Sequence, residues 1–252
     1  MFVQLKNTYL QILIIMKKNL LGVAVLAAGF LFAQPDANAQ SISVGPKVGL
    51  NFSTVGYTDG DKKLIDESNE DKTTLTGLHF GVAANIGVND MFSIQPELLY
   101  SQKGAKWEDS GNELSTTTNY LEIPVLAKFT FGSDDLKFFV NAGPYVGYMV
   151  SGKHKMVWDD EDISTDIEFD YPDQNDFFPD ENRVKPNRLD LGLALGAGVG
   201  VQAGPGTFNI EARYGLGLTD ISTYEKERPN EYPKSSNRNF GFSVGYMFPL
   251  GN

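Results

Sequence analysis

Cysteine is absent, histidine occurs only as His79 and His154, and the 21 Lys and Arg are outnumbered by 32 Asp and Glu. The first absence excludes a disulfide framework and thiolate metal sites. The second leaves little for a histidine-based metal centre or catalytic triad. The third gives a net charge of −11 and argues against a nucleic-acid partner, which would call for a basic surface. A long apolar helix is also missing. The apolar run Leu20–Phe32 falls short of the roughly 20 residues that cross a bilayer.

That run follows Lys17 and Lys18 and precedes Ala37-Asn38-Ala39. A basic n-region, a short apolar stretch and an A-x-A site form a secretory leader. The expectation is translation from Met16, an upstream extension over 1–15, and cleavage between Ala39 and Gln40. Residues 1–39 carry a net +2, so the exported domain, residues 40–252, would stand near −13.

What is present is alternation. From Leu189 to Gln202 one face reads Leu189, Leu191, Leu193, Leu195, Ala197, Val199 and Val201; the other reads Asp190, Gly192, Ala194, Gly196, Gly198, Gly200 and Gln202. A period of two is a strand. Similar runs occupy about 44–55, 73–88, 91–105, 120–129, 136–153, 189–202, 207–219 and 237–248, well beyond the usual strand of about 5–6 residues. Short turns follow the second, fourth and sixth runs. Long polar segments (56–72, 106–116, 154–187, 220–236) follow the first, third, fifth and seventh. Eight antiparallel strands with unequal ends predict an up-and-down transmembrane β-barrel of the outer membrane, in contact with its lipid. A soluble lipocalin-like barrel would turn its apolar face inward. The glycine-crowded polar face and the aromatics Phe92, Tyr100, Phe129, Phe131, Phe138, Tyr148, Phe208, Phe240 and Phe248 favour the membrane barrel. Pro46, Pro96, Pro124 and Pro144 fall within strands on the apolar register, and bulges or a place near the rim would accommodate some of them.

The segments GPKVGLNFS (45–53), IQPELLYSQKG (94–104), NYLEIPVLAKF (119–129), FVNAGPYVGYMVSG (139–152), LGLALGAGVGVQ (191–202), FNIEARYGLGLTDI (208–221) and NFGFSVGYMF (239–248) together resemble the PorT-like family of small outer-membrane barrels of Gram-negative bacteria. The resemblance implies one eight-stranded barrel and supplies no catalytic motif. One member of that family is associated with protein secretion and gliding. The aromatics ending at Phe248 resemble the terminal strand signal of such barrels, although Pro249–Asn252 follow.

Lys47, Glu97, Lys103, Glu122, Lys128, Lys137, Asp190, Glu211 and Arg213 fall on the inward register. They are expected to form a self-neutralising plug, with Glu97, Glu122, Lys128, Glu211 and Arg213 at its centre; an ion or proton path is the alternative. His79, with Ser93 on the next strand, is the only hint of hydrolase chemistry, and no nucleophile elbow accompanies it. The segment 154–187 holds 11 acidic residues against Lys155, Arg183 and Lys185, a net −8. Asp159, Asp160, Asp162, Asp166, Glu168 and Asp170 could chelate calcium, but no EF-hand pattern is present. The first reading of the segment is a solvated acidic loop; the interleaved Trp158, Phe169, Tyr171, Phe177 and Phe178 make a protein partner the second, with calcium third. The reading is a non-enzymatic envelope protein with a structural or interaction role and no cofactor, catalytic or metal residues. Narrow porin-like transport and lipid modification are the alternatives, and the sequence does not fix an oligomeric state.

Overall fold

The computed structural model describes residues 41–60, 66, 72–109, 112–158, 161–169, 184–224 and 232–250. The expected leader and its cleavage site lie outside them. In chain order the strands are β1 (Ile42–Thr58), β2 (Lys72–Thr73), β3 (Leu75–Gly87), β4 (Phe92–Asp109), β5 (Asn112–Gly132), β6 (Leu136–Trp158), β7 (Glu161–Asp166), β8 (Val184–Pro186), β9 (Leu189–Ala203), β10 (Gly206–Gly217), β11 (Ser222–Tyr224) and β12 (Lys234–Leu250). The eight long ones pair antiparallel in the order β1-β3-β4-β5-β6-β9-β10-β12. β12 returns to β1 through pairs such as Val48 with Val244 and Phe52 with Phe240. Closure leaves no open edge in this ring, as a strand structure in hydrocarbon requires.

The short turns carry their own chemistry. The Asn89 side-chain carbonyl accepts the backbone N–H groups of Met91 and Phe92, turning β3 into β4. Gly132 (φ 125°) and Gly204 (φ 63°) adopt positive φ at the next two turns, a region costly for residues with a Cβ.

The apolar face is outside. Leu195 is 64% exposed, Phe80 53% and Ile123 52%, whereas Glu97 is 3% exposed and Leu126 fully buried. A soluble protein would reverse this, so the faces are those of a membrane barrel. Register places aromatics in two rows. Near the short turns Phe92 pairs with Phe129 and Phe131 with Phe138. Phe131 and Phe138 stack with centroids 5.9 Å apart. The second row holds Phe80 opposite Tyr100 and Tyr214 opposite Phe240. Phe92 and Tyr100 are separated by eight steps of β4, about 26 Å of strand at ~3.3 Å per residue. That matches an apolar band of about 25 Å, less whatever strand tilt removes.

The ring strands outrun the band, β4, β5 and β6 by the most. β5 has 21 residues and β6 has 23, where about 9–11 suffice to cross. The segment 106–116, expected as a loop, is almost wholly strand: β4 reaches Asp109 and β5 restarts at Asn112. The start of 154–187 likewise extends β6 to Trp158 and folds back as β7. The Thr-rich stretch 115–118 favours extended backbone, but with polar residues on both faces it shows no alternation to read. Single-residue irregularity also matters. β6 slips at Val150, because Met149 faces Tyr120 while Ser151 faces Asn119. Ser151, which strict alternation from Lys137 and Asn141 would turn inward, is therefore outward and Gly152 takes its place.

The prolines are accommodated by neither bulges nor the rim. In an antiparallel strand the N–H and C=O of one residue face the same neighbour, so a proline can spoil only one ladder. Pro46 keeps its pairing with Val82 on β3, and the β12 ladder skips Gly45-Pro46. Pro96, Pro124 and Pro144 keep Val125, Tyr145 and Leu193, and each interrupts the ladder to the preceding strand. No register is lost. Pro124 also departs from the apolar register expected for it: its side chain is fully buried in the lumen.

If Leu195 faces lipid, Leu195→Arg should destabilise the barrel by about 2–4 kcal/mol. A urea titration in lipid vesicles, read by heat-modifiable gel mobility, measures this, and an unchanged midpoint would contradict the exposure.

Candidate functional site

Eight strands leave an interior that side chains can fill, and here they fill it with charge. Arg213 on β10 forks onto Glu97 on β4, Nη1 to Oε2 at 2.7 Å and Nη2 to Oε1 at 2.8 Å. β4 and β10 are four places apart in the eight-strand ring, so this pair spans the diameter. Arg213 Nε donates to Glu211 Oε1 at 2.8 Å. Lys47 on β1 reaches Glu211 at 2.7 Å and Glu97 at 3.1 Å. Asn141 on β6 donates to Glu211 at 3.0 Å.

A second network lies toward the long-loop end. Lys103 Nζ is 2.5 Å from Glu122 and 3.1 Å from Asp190, and 4.4 Å from the Tyr145 ring centroid. Asn237 on β12 donates to Asp190 at 3.0 Å and, across the ring, to Tyr120 on β5 at 3.4 Å. Leu126, Tyr145 and Ala194 form an apolar cluster inside the same lumen. A cavity of only about 30 Å³, bordered by Lys47, His79, Glu122 and Arg213, remains among these groups.

The expected inward charges are therefore brought together, though differently grouped. Glu97, Glu211 and Arg213 form the core of one network with Lys47. Glu122 belongs to the other with Lys103 and Asp190. Lys128, expected at the centre, joins neither by ion pairing. It donates to Gln95 Oε1 at 3.0 Å and sits 4.0 Å from the Phe139 ring centroid. Lys137 keeps the inward register but is exposed at the short-turn mouth. The lumen charges balance: Lys47, Lys103, Lys128 and Arg213 against Glu97, Glu122, Asp190 and Glu211.

His79 and Ser93 are not brought together. His79 Nδ1 lies 2.8 Å from Asn51 Oδ1 and stands opposite Ser101. Ser93 donates to Asn85 at 2.8 Å. His154 lies outside the band, 2.9 Å from Thr116 Oγ1, where partial burial holds its imidazole below the usual histidine range.

Beyond the band, β4 to β7 form a two-faced blade. Register aligns Trp107, Leu114, Met156 and Ile163 in one row across the four strands. This row continues the lumen-facing register. Leu114, Met156, Ile163 and the adjacent Trp158 are 41%, 44%, 55% and 58% exposed. The opposite face is charged: Lys106 meets Glu108 and Glu113 at 2.5 and 2.9 Å, and Lys155 meets Asp162 at 3.0 Å. Those carboxylates push the Lys106 ammonium up from its ordinary value. The sequence signal for this part of the blade is the alternation of Met156 with Trp158, too short to mark a strand pair by itself. Among the expected calcium ligands Asp162 and Asp166 face Lys155 and Lys153. Among the described residues no group of three or more His, Asp or Glu could hold a metal ion. Phe169 lies under the Arg188 guanidinium, 4.2 Å from its ring centroid. Asp159, Asp160, Asp170, Tyr171, Phe177 and Phe178 lie outside the described residues.

Residues 32–223 match the family described as outer membrane protein beta-barrel domain. No curated protein matches the chain. Among solved structures it is similar to neisserial surface protein A, with 12% identity, a TM-score of 0.41, and coverage of 84% of this chain and 100% of that one. The Pseudomonas aeruginosa outer membrane protein OprG gives 10%, 0.43, 84% and 96%. The attachment invasion locus protein Ail of Yersinia pestis gives 14%, 0.37, 82% and 99%.

Removing Lys103 by Lys103→Met leaves Glu122 and Asp190 buried without their cation. A broken buried pair costs about 3–5 kcal/mol, so the urea midpoint of the folded barrel should fall by that equivalent. A shift below about 1 kcal/mol would mean that the network is not desolvated as described.

Proposed function

We propose that this chain, which belongs to the outer membrane protein β-barrel domain family and resides in the outer membrane, is a non-conducting, non-enzymatic protein that binds a protein partner at the cell surface. The observation that carries this reading is the Arg213–Glu97 pair across the full diameter of the lumen. A bidentate ion pair wedged between opposite walls, with Lys47 and Glu211 packed around it, leaves among the described lumen residues there only a cavity of about 30 Å³, too small for a solute path. With the interior occupied by structure, the remaining chemistry lies on the blade. Its apolar row of Trp107, Leu114, Met156 and Ile163 includes a tryptophan and a methionine, residue types enriched in interfaces.

The acidic aromatic segment 154–187 contributes β7 and Trp158 to that blade, which supports its assignment as the partner-binding region. A tie to protein secretion comes with the PorT resemblance and belongs to the same proposal. The separation of His79 from Ser93 supports the non-enzymatic reading.

Two measurements test it. In planar bilayers the purified protein should give no steady channel events; regular openings would favour narrow solute transport instead. Crosslinking and pull-down from outer membranes should recover a partner with the full chain and lose it when residues 156–184 are deleted. Equal recovery by both forms would remove the surface segment from the proposal.

A further inference from the structure

Among the described residues, no side chain plugs the short-turn end of the lumen. A polar cavity of about 390 Å³ opens there, bordered by Asn85, Lys128, Thr130, Lys137, Gln202 and Asn209, among others. Its size falls within the usual range for small-molecule sites, about 300–1,000 Å³. Its roof is Lys128, only 8% exposed. Every lumen carboxylate among the described residues is committed elsewhere: Glu97 and Glu211 to Lys47 and Arg213, Glu122 and Asp190 to Lys103. Lys128 has a neutral amide and an aromatic face, Gln95 and Phe139, and no carboxylate. A buried ammonium without a counter-ion is costly. Lys137 lines the same cavity from β6, four residue pairs nearer the mouth, since it pairs with Gly132 while Lys128 pairs with Asn141. Among the described residues the one carboxylate along the cavity wall is Asp90, in the exposed turn after β3.

We propose that this vestibule is a binding site for a small hydrophilic monocarboxylate from the periplasm. Its carboxylate meets the Lys128 ammonium at the roof, Lys137 closes over it from the mouth, and the amides and hydroxyls of the wall hydrogen-bond the rest. Two lysines set against Asp90 leave an excess of one positive charge, which matches a monoanion better than a doubly charged phosphate. The site is at the opposite end from the blade and does not depend on the surface-binding reading.

Isothermal titration of the folded full chain in detergent micelles tests this, with N-acetylglycine and lactate as carboxylate probes and inorganic phosphate as the contrasting anion. At least one carboxylate should bind saturably and weaken as salt is raised. Lys137→Gln should weaken binding several-fold, and Lys128→Met should abolish it. Lys137 is exposed and makes no ion pair, so its variant reports on the site even if Lys128→Met fails the heat-modifiable mobility check for folding. No saturable binding of either carboxylate by the unaltered protein would overturn the proposal. So would binding indifferent to Lys137→Gln, or tighter binding of phosphate than of both carboxylates.

Discussion

Hydrocarbon offers a backbone no hydrogen-bond partners, and from that constraint the rest of this structure follows. Eight strands must close on themselves, β12 onto β1, and the side chains must then divide between lipid and a narrow interior. Leucines, valines and phenylalanines take the outside. Whatever takes the inside has little water to lean on and must satisfy itself. The two ion networks do so with charges drawn from β1, β4, β5, β9 and β10, tying together strands that share no ladder. The prolines obey the same constraint: each gives up hydrogen bonds to one neighbour only and leaves the other ladder whole.

Strand number, order and face were legible in the sequence because lipid exposure imposes strict alternation, and alternation survives without any knowledge of partners. The nine inward charges could be placed on the lumen side for the same reason. Their grouping could not be read, because pairing depends on which strands meet across the barrel and on stagger. Arg213 finds Glu97 only once β10 and β4 are placed opposite each other. Lys128 looked like a core member by position along its strand, yet the stagger of β5 sets it at the vestibule roof.

Outside the membrane the pattern weakened. The Thr-rich part of β5 has polar residues on both faces, so that stretch of the blade offers no alternation to read. The bulge at Val150 inverted the expected facing of Ser151, and a single-residue slip leaves no signature in composition. Pro124 was misread because it sits among Glu122 and Lys128 in register but among Ile123 and Val125 in character.

The central claim is that opposite walls of the barrel are coupled through the desolvated Glu97–Arg213 pair. A double-mutant cycle measures it directly, comparing unfolding free energies of Glu97→Gln, Arg213→Met, the double variant and the unaltered protein. The pair as described predicts a coupling energy of at least about 1.5 kcal/mol, the lower end for close, water-excluded charge pairs. Single-variant effects that add to within about 0.5 kcal/mol would contradict it.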